Sequence, residues 1–399
     1  MRKSLYFLAL SLMASTACNA GQAPGNQQAR TQEAPASGDG GFRESAQTPF
    51  TATPVAAFDE PWAMTFIAGG PWALVTERKG KLILVDTTSG AKHEVSGVPK
   101  VAYGGQGGLG DVVEAPDPDP TDKIHPVYLS WAEAGPGNTR GAVVALADVT
   151  INSMAEQIGS LGNLRIIWRQ EPKVTGEGHY SHRIAVAPDR KHIFISSGER
   201  QKFDPAQDMA ANLGKIIRLN PDGSVPTDNP FADKGGVTAQ IWSLGHRNAL
   251  GLAFDRQGRL WEDEMGPQGG DEVNLIERGG NYGWPRVSNG SHYGGKAIPD
   301  HAPGDGFIAP KAWWNPSISP AGMAYYDANL FPQWKDSLLI GALSGQALVR
   351  MKIDGATVTK ADHWPMKARI RDVKTGPDGA VWLLEDGTKG RLLRLTPKS

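Results

Sequence analysis

Polar and charged residues are concentrated in glycine-rich segments between residues 245 and 285. One segment reads GHRN at residues 245–248, and a second places the carboxylates Asp271 and Glu272 side by side among glycines. The simplest interpretation of the first segment is a hydrogen-bonded turn. Carboxylate and carbonyl oxygens suit a hard cation such as Ca²⁺, so the second segment is a candidate metal site. Loops of this kind on a rigid scaffold commonly carry function.

A second candidate is the pair His179 and His182, which has the spacing H-x-x-H. Two histidines suggest zinc, but zinc sites take three or four ligands from His, Cys and carboxylates. The chain contains one Cys, Cys18, and no third ligand at a recognisable spacing. The pattern therefore argues against zinc and leaves acid or base chemistry, since an imidazole is neutral near physiological pH and still accepts a proton.

Composition restricts the scaffold that positions these groups. The 399 residues include 41 Lys and Arg, 42 Asp and Glu, 49 Gly, 29 Pro and one Cys. One thiol cannot form an intrachain disulfide, and a near-neutral chain without a polybasic run gives no electrostatic footprint for nucleic acid. The Gly and Pro content argues against a helix bundle or coiled coil. The composition favours a turn-rich, all-β protein.

One strand template recurs along the chain. Residues 72–86 and 381–395 both read as an apolar strand, a polar turn with Gly and a second apolar strand. Similar short strands start near residues 62, 110, 183, 251, 322 and 372. These repeats predict an all-β, six-bladed β-propeller, closed by residues 50–58 beside residues 391–395. A pair of β-sandwiches is the alternative, but it does not explain one template throughout.

Residues 1–20 are predicted to be an export signal, with a basic start, an apolar run too short to span a bilayer and small residues after it. Cys18 lies in a sequence that resembles a bacterial lipobox, although Ser15 stands where Leu is usual. Cleavage by an ordinary signal peptidase after Ala17 or Ala20 is the alternative. Both interpretations predict an exported protein, either periplasmic or anchored to the membrane as a lipoprotein.

Residues 21–48 consist mainly of Gly, Gln, Ala, Pro and Ser, with Phe42 as the one large apolar side chain. Such a segment buries too little apolar surface to offset the entropy of ordering. We therefore expect a disordered linker at 21–48 and a propeller domain at 49–399.

Several longer motifs together resemble one enzyme family. The runs GHRNALGLAF, MGPQGGDEVN and GGNYGWP start at Gly245, Met265 and Gly279. Further matches are GGQGGLG at 104–110, HYSHRI at 179–184, GE at 198–199, WNP at 314–316, PAG at 320–322 and RIRDV at 369–373. In this order the motifs resemble the soluble sugar dehydrogenases that depend on pyrroloquinoline quinone (PQQ), the aldose sugar dehydrogenase and soluble glucose dehydrogenase group. The likeness covers essentially all of residues 55–397.

The resemblance implies oxidation of aldose sugars at C1 to lactones, with hydride transfer to C5 of the quinone and an external electron acceptor, a quinone or a cytochrome. His179 falls on the general base, Glu199 on the acid that orients it, and Arg247 on the residue that stabilises charge on the quinone oxygen. The matched cofactor contacts are Gln106, His179, Arg247, Asn248, Arg369 and Arg371. Arg369 and Arg371 suit the three carboxylates of PQQ because a guanidinium binds a carboxylate through paired donors; a structural surface pair is the alternative.

The resemblance also implies two calcium ions, so the expected cofactors are PQQ and Ca²⁺. The carbonyls of Gly266 and Pro267 fall on ligands of an ion that joins the protein to the cofactor and polarises the quinone. Glu272 and the carbonyl of Tyr282 fall on a second, structural ion.

One departure from the family concerns Ser344, which stands where the family commonly has Lys. One cation facing the cofactor is then missing, and binding of the cofactor weakens unless Lys389 or Arg391 replaces it. Trp314 is interpreted either as a wall of the sugar site or as a core residue.

Other functions are also compatible with a propeller. One alternative is a cofactor-free propeller that binds sugars or other ligands. A calcium-dependent lactonase would need carboxylates from several blades converging on the central channel, and the sequence indicates no such set. No Gly-x-Gly-x-x-Gly run opens a βαβ unit, so a nicotinamide or flavin site is not predicted.

Overall fold

The computed structural model describes residues 41–116 and 123–398. Within these ranges the chain forms six four-stranded antiparallel sheets, arranged as the blades of a β-propeller. The first strand, β1 (Phe50–Phe58), belongs to blade 6. Blade 1 comprises β2 (Pro61–Phe66), β3 (Trp72–Glu77), β4 (Lys81–Asp86) and β5 (Lys92–Val95). Blade 2 comprises β6 (Leu109–Glu114), β7 (Ile124–Ala134), β8 (Arg140–Ile151) and β9 (Gly159–Arg169).

The remaining blades follow in chain order. Blade 3 comprises β10 (Ser181–Val186), β11 (Ile193–Ser197), β12 (Lys215–Leu219) and β13 (Ile241–Leu244). Blade 4 comprises β14 (Ala249–Phe254), β15 (Leu260–Glu264), β17 (Asp271–Leu275) and β19 (Ala312–Trp314), with a small hairpin of β16 (Gln268–Gly269) and β18 (Gly290–Ser291). Blade 5 comprises β20 (Pro320–Tyr326), β21 (Ser337–Ala342), β22 (Ala347–Asp354) and β23 (Thr357–Pro365). Blade 6 comprises β24 (Ile370–Thr375), β25 (Val381–Glu385), β26 (Gly390–Pro397) and β1.

Helical structure in the described ranges is limited to short 3-10 turns. These are Pro136–Asn138, Asp204–Ala206, Ala232–Lys234, Thr238–Gln240 and Pro332–Trp334. A helix long and apolar enough to cross a membrane does not occur in the described part of the chain.

Blade 6 closes the ring by pairing the two ends of the domain. Strand β1 runs antiparallel to β26, with Ala52 opposite Leu395 and Ala57 opposite Arg391. This register confirms the predicted pairing of residues 50–58 with the last strand. Closure through main-chain hydrogen bonds is the way in which propellers protect their sheet edges.

Inner strands are buried along most of their length because each blade is covered on both faces by its neighbours. In β4 the consecutive residues Leu82–Val85 are all buried, and in β11 so are Ile193–Ser197. Aromatic side chains fill the wider gap between blades 5 and 6, where the Trp334 and Trp364 rings stack at 4.9 Å. The core is therefore divided among the blade interfaces, and the first strand of each blade faces the central axis.

The first strands form a closed ring around that axis, since each contacts the first strand of the next blade. Every one of them has a bulge in its pairing with the second strand of its blade. A bulge bends a strand and re-aims its side chains. The residues at the start of each blade therefore meet at one end of the central channel.

Ion pairs hold this ring together inside the channel. Arg183 Nη1 of blade 3 lies 3.4 Å from Asp111 of blade 2 and 3.3 Å from Asp372 of blade 6. The second oxygens of these aspartates accept backbone N–H hydrogen bonds from Ile184 and Met64, at 2.8 and 3.0 Å. All three side chains are buried. One guanidinium thus joins three blades, and Asp372 adds blade 1.

Residues 41–48 differ from the expected disordered linker, because they lie along the outer strand of blade 5. The Ser45 N–H donates to the His363 carbonyl at 2.9 Å, and the Phe42 ring stacks on the His363 ring at 4.0 Å. This segment is ordered by hydrogen bonding to the edge of β23 and by the stacking of Phe42 on His363. Residues 1–40, which include the expected export signal and most of the expected linker, lie outside the described residues.

Candidate active site

The predicted general base and its predicted acidic partner form a buried pair. His179 Nδ1 lies 2.5 Å from Glu199 Oε1. The other carboxylate oxygen, Oε2, accepts backbone N–H hydrogen bonds from Lys202 and Phe203, each at 2.6 Å. A neutral imidazole that donates from Nδ1 keeps its lone pair on Nε2. The ring can therefore accept a proton at Nε2 while Glu199 holds its orientation.

Two tight loops place this pair. His179 lies in the loop just before β10, and Glu199 lies in the loop just after β11. These two strands are neighbours in blade 3 and bring the pair together. A Cβ on Gly198 would lie 2.1 Å from the His179 carbonyl oxygen, so this close approach requires glycine. The Glu199 N–H donates to the Arg247 carbonyl at 3.0 Å, which ties the pair to the GHRN turn.

Burial sets the protonation of both groups. Burial lowers the pKa of His179 below its usual value and the positive charge of Arg247 adds to this effect, which outweighs the opposing hydrogen bond to Glu199. Burial alone would raise the pKa of Glu199, but its hydrogen bonds with His179 and with the Phe203 backbone hold that pKa below the usual range. The pair is thus a neutral imidazole against an ionised carboxylate at neutral pH.

Arg247 adjoins the pair and is held by the neighbouring segment of residues 264–265. Its backbone N–H donates to Glu264 Oε2 at 2.5 Å, and Nη1 donates to the Met265 carbonyl at 2.8 Å. The guanidinium lies 5.3 Å from the Trp284 ring and 5.9 Å from the Tyr293 ring. Its buried Nε has no hydrogen-bond partner among the described residues. The segment is thus a hydrogen-bonded turn, as the simplest interpretation predicts, that also offers a donor to a ligand.

A cavity of about 290 Å³ opens beside these residues. Its lining includes four of the predicted cofactor contacts: Gln106, Asn248, Arg369 and Arg371. Gln106 Oε1 accepts the His179 backbone N–H at 2.7 Å, which connects the cavity to the base. Arg369 Nε and Arg371 Nη2 both bind Asp386, at 2.8 and 3.1 Å. The structure therefore brings both arginines to one cavity near the histidine.

Most of the predicted metal-binding residues surround a second, smaller cavity of about 10 Å³. Its lining includes Arg247, Met265, Gly266, Glu272 and Tyr282, and Met265 lines both cavities. Pro267 is buried next to Gly266 in the same loop. The Gly266 N–H donates to Asp271 Oδ1 at 2.9 Å, and Asp271 also accepts backbone N–H groups from blade 5. Asp271, a candidate ligand in the sequence, therefore organises the loop.

An acidic cluster, formed by Glu262, Glu264 and Glu272, lies beside the smaller cavity. Glu264 is opposite Glu272 in the pairing of β15 with β17, and the ligand atoms of His246, Glu262 and Glu264 lie within 4.8 Å of one another. Burial, followed by the charge of Glu264, raises the pKa of Glu262 and of Glu272 well above the usual range. In the described part of the chain, the buried oxygens Glu262 Oε1 and Asn274 Oδ1 have no hydrogen-bond partner. Cross-strand like charges are destabilising, so this cluster suits a cation.

Comparison with known proteins assigns the family. The model of the glucose/sorbosone dehydrogenase family matches residues 58–394. The chain belongs to the glucose/sorbosone dehydrogenase family. Aldose sugar dehydrogenase YliI of Escherichia coli is 37% identical over 347 residues, which cover 86% of this chain and 91% of the relative.

Solved structures of the family share the fold. The soluble aldose sugar dehydrogenase from Escherichia coli in its apo form superimposes with a TM-score of 0.80 at 36% identity, covering 88% of this chain and 100% of that one. The PQQ-bound aldose sugar dehydrogenase from Streptomyces coelicolor gives a TM-score of 0.71 at 28% identity, covering 89% and 100%. The chain is therefore an oxidoreductase with the six-bladed propeller of this sugar dehydrogenase family.

His182 has a different environment from His179 in this family member. Its Nδ1 lies 2.8 Å from Ser130 Oγ, and its ring stacks on Trp62 at 5.0 Å. Burial lowers its pKa to about 3, so the ring is neutral. A Cβ on Gly110 would lie 1.9 Å from the ring, which shows how closely it is packed. The two histidines of the H-x-x-H pair thus have separate partners.

Among the described residues, Trp314 and Ser344 do not belong to the lining of the larger cavity. Trp314 is completely buried in the core of blade 4, which confirms the core interpretation. Ser344 Oγ lies 2.8 Å from Ser319 Oγ. Among the described residues, Ser319 and Leu343 line the larger cavity and Ser344 does not.

The central channel holds carboxylates that the sequence analysis did not find. Asp111, Asp263 and Asp372 come from blades 2, 4 and 6, and Arg183 lies among them. Burial raises the pKa of Asp263 well above its usual range, and the charge of Arg183 acts in the opposite direction. The expectation that no carboxylates from several blades converge on the channel was therefore wrong. The cation among these aspartates is the Arg183 guanidinium.

Proposed function

We propose that the protein is a PQQ-dependent dehydrogenase that oxidises aldose sugars at C1 to lactones. The observation that carries the proposal is the buried His179–Glu199 pair, next to Arg247 and to a cavity lined by arginines. Relatives named as aldose sugar dehydrogenases, one of them solved with PQQ, support it. Bound in the cavity, PQQ would supply the electrophilic C5 carbon that accepts a hydride from C1 of the sugar.

The residues of the cavity fit this cofactor. PQQ carries three carboxylates, and Arg369 and Arg371 offer paired donors to such groups. The amides of Gln106 and Asn248 add donors and acceptors at the same cavity. Both arginines also bind Asp386, so they have a structural partner as well. Their position in one cavity with two amides favours binding of a polar, anionic ligand over the purely structural interpretation.

His179 is the proposed general base. Because its imidazole is neutral and its Nδ1 is held by Glu199, Nε2 can take the proton of the anomeric hydroxyl. In the proposed reaction Nε2 would take the O–H proton while C1 gives up its hydrogen as a hydride to the bound quinone, and the C1–O bond would become the lactone carbonyl. The carboxylate of Glu199 then stabilises the imidazolium.

Arg247 is the proposed electrostatic catalyst. Its guanidinium is fixed by the Met265 carbonyl and by the neighbouring rings of Trp284 and Tyr293. A cation held in this way stabilises negative charge that develops on an oxygen during hydride transfer, without reorganisation. Its buried, unpartnered Nε, noted above for the described residues, is the donor available for that oxygen.

Calcium is the proposed metal. The carbonyls of Gly266 and Pro267 would hold the ion at the cofactor, and Glu272 with the Tyr282 carbonyl would hold a structural ion. The buried carboxylates of the acidic cluster face one another, and Glu262 Oε1 has no hydrogen-bond partner within the described ranges. Both observations support a cation with oxygen ligands at this cluster. Calcium at the cofactor would act as a Lewis acid.

The competing function is a propeller that binds sugars without a cofactor. The deciding experiment strips the purified protein with chelator and then adds PQQ, Ca²⁺ or both before testing a panel of aldoses with a redox dye. The dye stands in for the external acceptor, which we propose to be a quinone or a cytochrome. We expect dye reduction only with both additions. Activity in the stripped protein, or sugar binding without any dye reduction after both additions, would refute the proposal.

We also propose that the protein is exported, as a periplasmic protein or as a lipoprotein anchored through Cys18. The basic start and apolar run of residues 1–20 support this. Labelling with a lipid precursor distinguishes the two forms: incorporation that is lost in Cys18→Ser identifies a lipoprotein, and a mature chain without label identifies a periplasmic protein. A full-length chain in the cytoplasm contradicts both.

A further inference from the structure

The larger cavity is lined by more positively than negatively charged side chains. Among the described residues that line it, the arginines are Arg78, Arg369 and Arg371, and the carboxylate is Asp386. Arg369 and Arg371 share Asp386. Arg78 therefore adds a guanidinium that Asp386 does not engage, at a cavity whose proposed ligand carries three carboxylates.

Arg78 is held mainly by backbone carbonyls. Its Nη2 donates to the carbonyls of Gly105 and Gly107, which flank Gln106 in the chain. The nearest carboxylate oxygen, Glu60 Oε2, lies 3.5 Å from Nη1, a long contact. That same oxygen accepts the Tyr103 hydroxyl at 2.8 Å. Carbonyls orient a guanidinium without neutralising it, so Arg78 keeps most of its positive charge at the cavity.

The position of Arg78 complements the two other arginines. Arg78 follows β3 of blade 1, whereas Arg369 and Arg371 lie at the start of blade 6, and the first strands of these blades are in contact. The Glu60 N–H also donates to the Gly387 carbonyl at 2.9 Å, next to Asp386 in the chain. The arginines are thus contributed by two adjacent blades whose loops are joined.

The expected substitutes for the missing lysine do not occupy this cavity. Arg391 Nε and Nη2 bind Glu385 at 2.6 and 2.5 Å, and its side chain is 49% exposed. Neither Lys389 nor Arg391 is among the described residues that line the cavity. The further arginine at the cavity, Arg78, lies on the first blade.

We propose that Arg78 binds a carboxylate of the cofactor and supplies the cation that Ser344 cannot. This inference rests on the proposed function, because it concerns how the same cavity holds PQQ. Arg78 also positions the loop that carries Gln106. Because Gln106 Oε1 accepts the backbone N–H of His179, Arg78 connects the cofactor cavity to the general base. Arg78 is in this sense a binding residue and not a catalytic one.

The test is the affinity of the metal-loaded protein for PQQ, measured by quenching of tryptophan fluorescence, without any assay of turnover. Loss of one charge-assisted hydrogen bond predicts that Arg78→Gln raises Kd about tenfold or more and weakens the dependence of Kd on salt. Arg78→Lys, which keeps the charge, should recover part of the loss. Arg391→Gln, the matched control, should leave Kd unchanged. Thermal unfolding checks that each variant folds.

A double-mutant cycle separates direct binding from an effect through the loop. If Arg78 acts on the cofactor itself, the losses in Arg78→Gln and Gln106→Ala add in the double variant. If Arg78 acts only by holding the loop, the double variant binds as Gln106→Ala does, and this result overturns the proposal. Unchanged affinity in Arg78→Gln also overturns it. Absence of PQQ binding by the wild type refutes the proposed function itself, so the two failures are distinguishable.

Discussion

Blades 3 and 4 each bury ionisable groups, but they satisfy them in different ways. In blade 3, Glu199 receives one hydrogen bond from His179 and two from backbone N–H groups. In blade 4, the acidic cluster places Glu262, Glu264 and Glu272 against one another, and Glu262 Oε1 has no hydrogen-bond partner in residues 41–116 and 123–398. The first site is complete with protein groups alone, whereas the second is completed only by protons or a cation.

This difference separates the two roles. A carboxylate with all its donors in place holds an imidazole in one tautomer before any ligand binds, which is what a general base requires. A cluster of facing carboxylates gains stability when an ion binds, which is what a structural metal site requires.

The largest effect is expected from His179→Ala. Loss of the general base should lower kcat by roughly 10² to 10⁴ and leave PQQ affinity nearly intact. His182 also lines the larger cavity, but its Nδ1 is engaged by Ser130 and its ring is neutral, so His182→Ala, the matched control, should cost far less per folded molecule. Steady-state kinetics of both reconstituted variants check this. Equal losses would show that the two histidines share one role.

Calcium should stabilise the protein through the acidic cluster. Saturating Ca²⁺ at about 100 times its Kd adds about 2.7 kcal/mol to the free energy of unfolding, and Tm rises accordingly. Glu272→Gln should reduce this rise, whereas Glu156→Gln, an exposed control, should not. Calorimetry of chelated and calcium-loaded samples gives both values. The same rise in Glu272→Gln as in wild type would contradict a metal role for the cluster.

The pH profile tests the blade 3 pair. Since burial lowers the pKa of His179, the base stays neutral to a lower pH than an exposed histidine does, and kcat/KM should fall only below the usual histidine range as the ring becomes protonated. Glu199→Gln removes the charge that raises this pKa, so the acid limb should move to lower pH while the plateau falls. Asp189→Asn, an exposed carboxylate of the same blade, should leave the limb in place. A limb that moves upward in Glu199→Gln would refute the pairing.

The smallest effect is expected from Ser344→Lys. If Arg78, Arg369 and Arg371 already bind the three carboxylates of PQQ, the added lysine should change the Kd for PQQ little relative to wild type. The cavity would then resemble the His179–Glu199 pair of blade 3, where the protein's own groups already supply every partner that is needed. Titration with PQQ measures this, and a Kd that falls about tenfold would show that a cation is missing.

Local repetition made the propeller predictable. The predicted blade starts near residues 62, 110, 183, 251, 322 and 372 agree with first strands that begin at 61, 109, 181, 249, 320 and 370. A template of apolar strand, polar turn and apolar strand is a property of neighbouring residues, so the sequence displays it directly. Residues 41–48 of the expected linker lie along the edge of β23, a contact that their composition does not reveal.

Contacts between blades were the part that the sequence could not show. His179 and Glu199 were found through family motifs, and they lie in loops at the ends of adjacent strands of one blade. Arg183 and Asp111 are 72 residues apart and meet only when the ring closes. The acidic cluster depends on the register of β15 with β17, although alternate carboxylates in a buried strand were a signal that could have identified Glu262 and Glu264.

Single-turnover reduction of the bound cofactor tests the central claim most directly. Wild-type protein loaded with PQQ and Ca²⁺ is mixed with an aldose carrying either hydrogen or deuterium at C1, and the absorbance of the cofactor is followed. If C1 gives up a hydride in this site, reduction occurs with both sugars and is slower with deuterium. Absence of reduction in fully loaded protein, or reduction at the same rate with both sugars, would contradict the account.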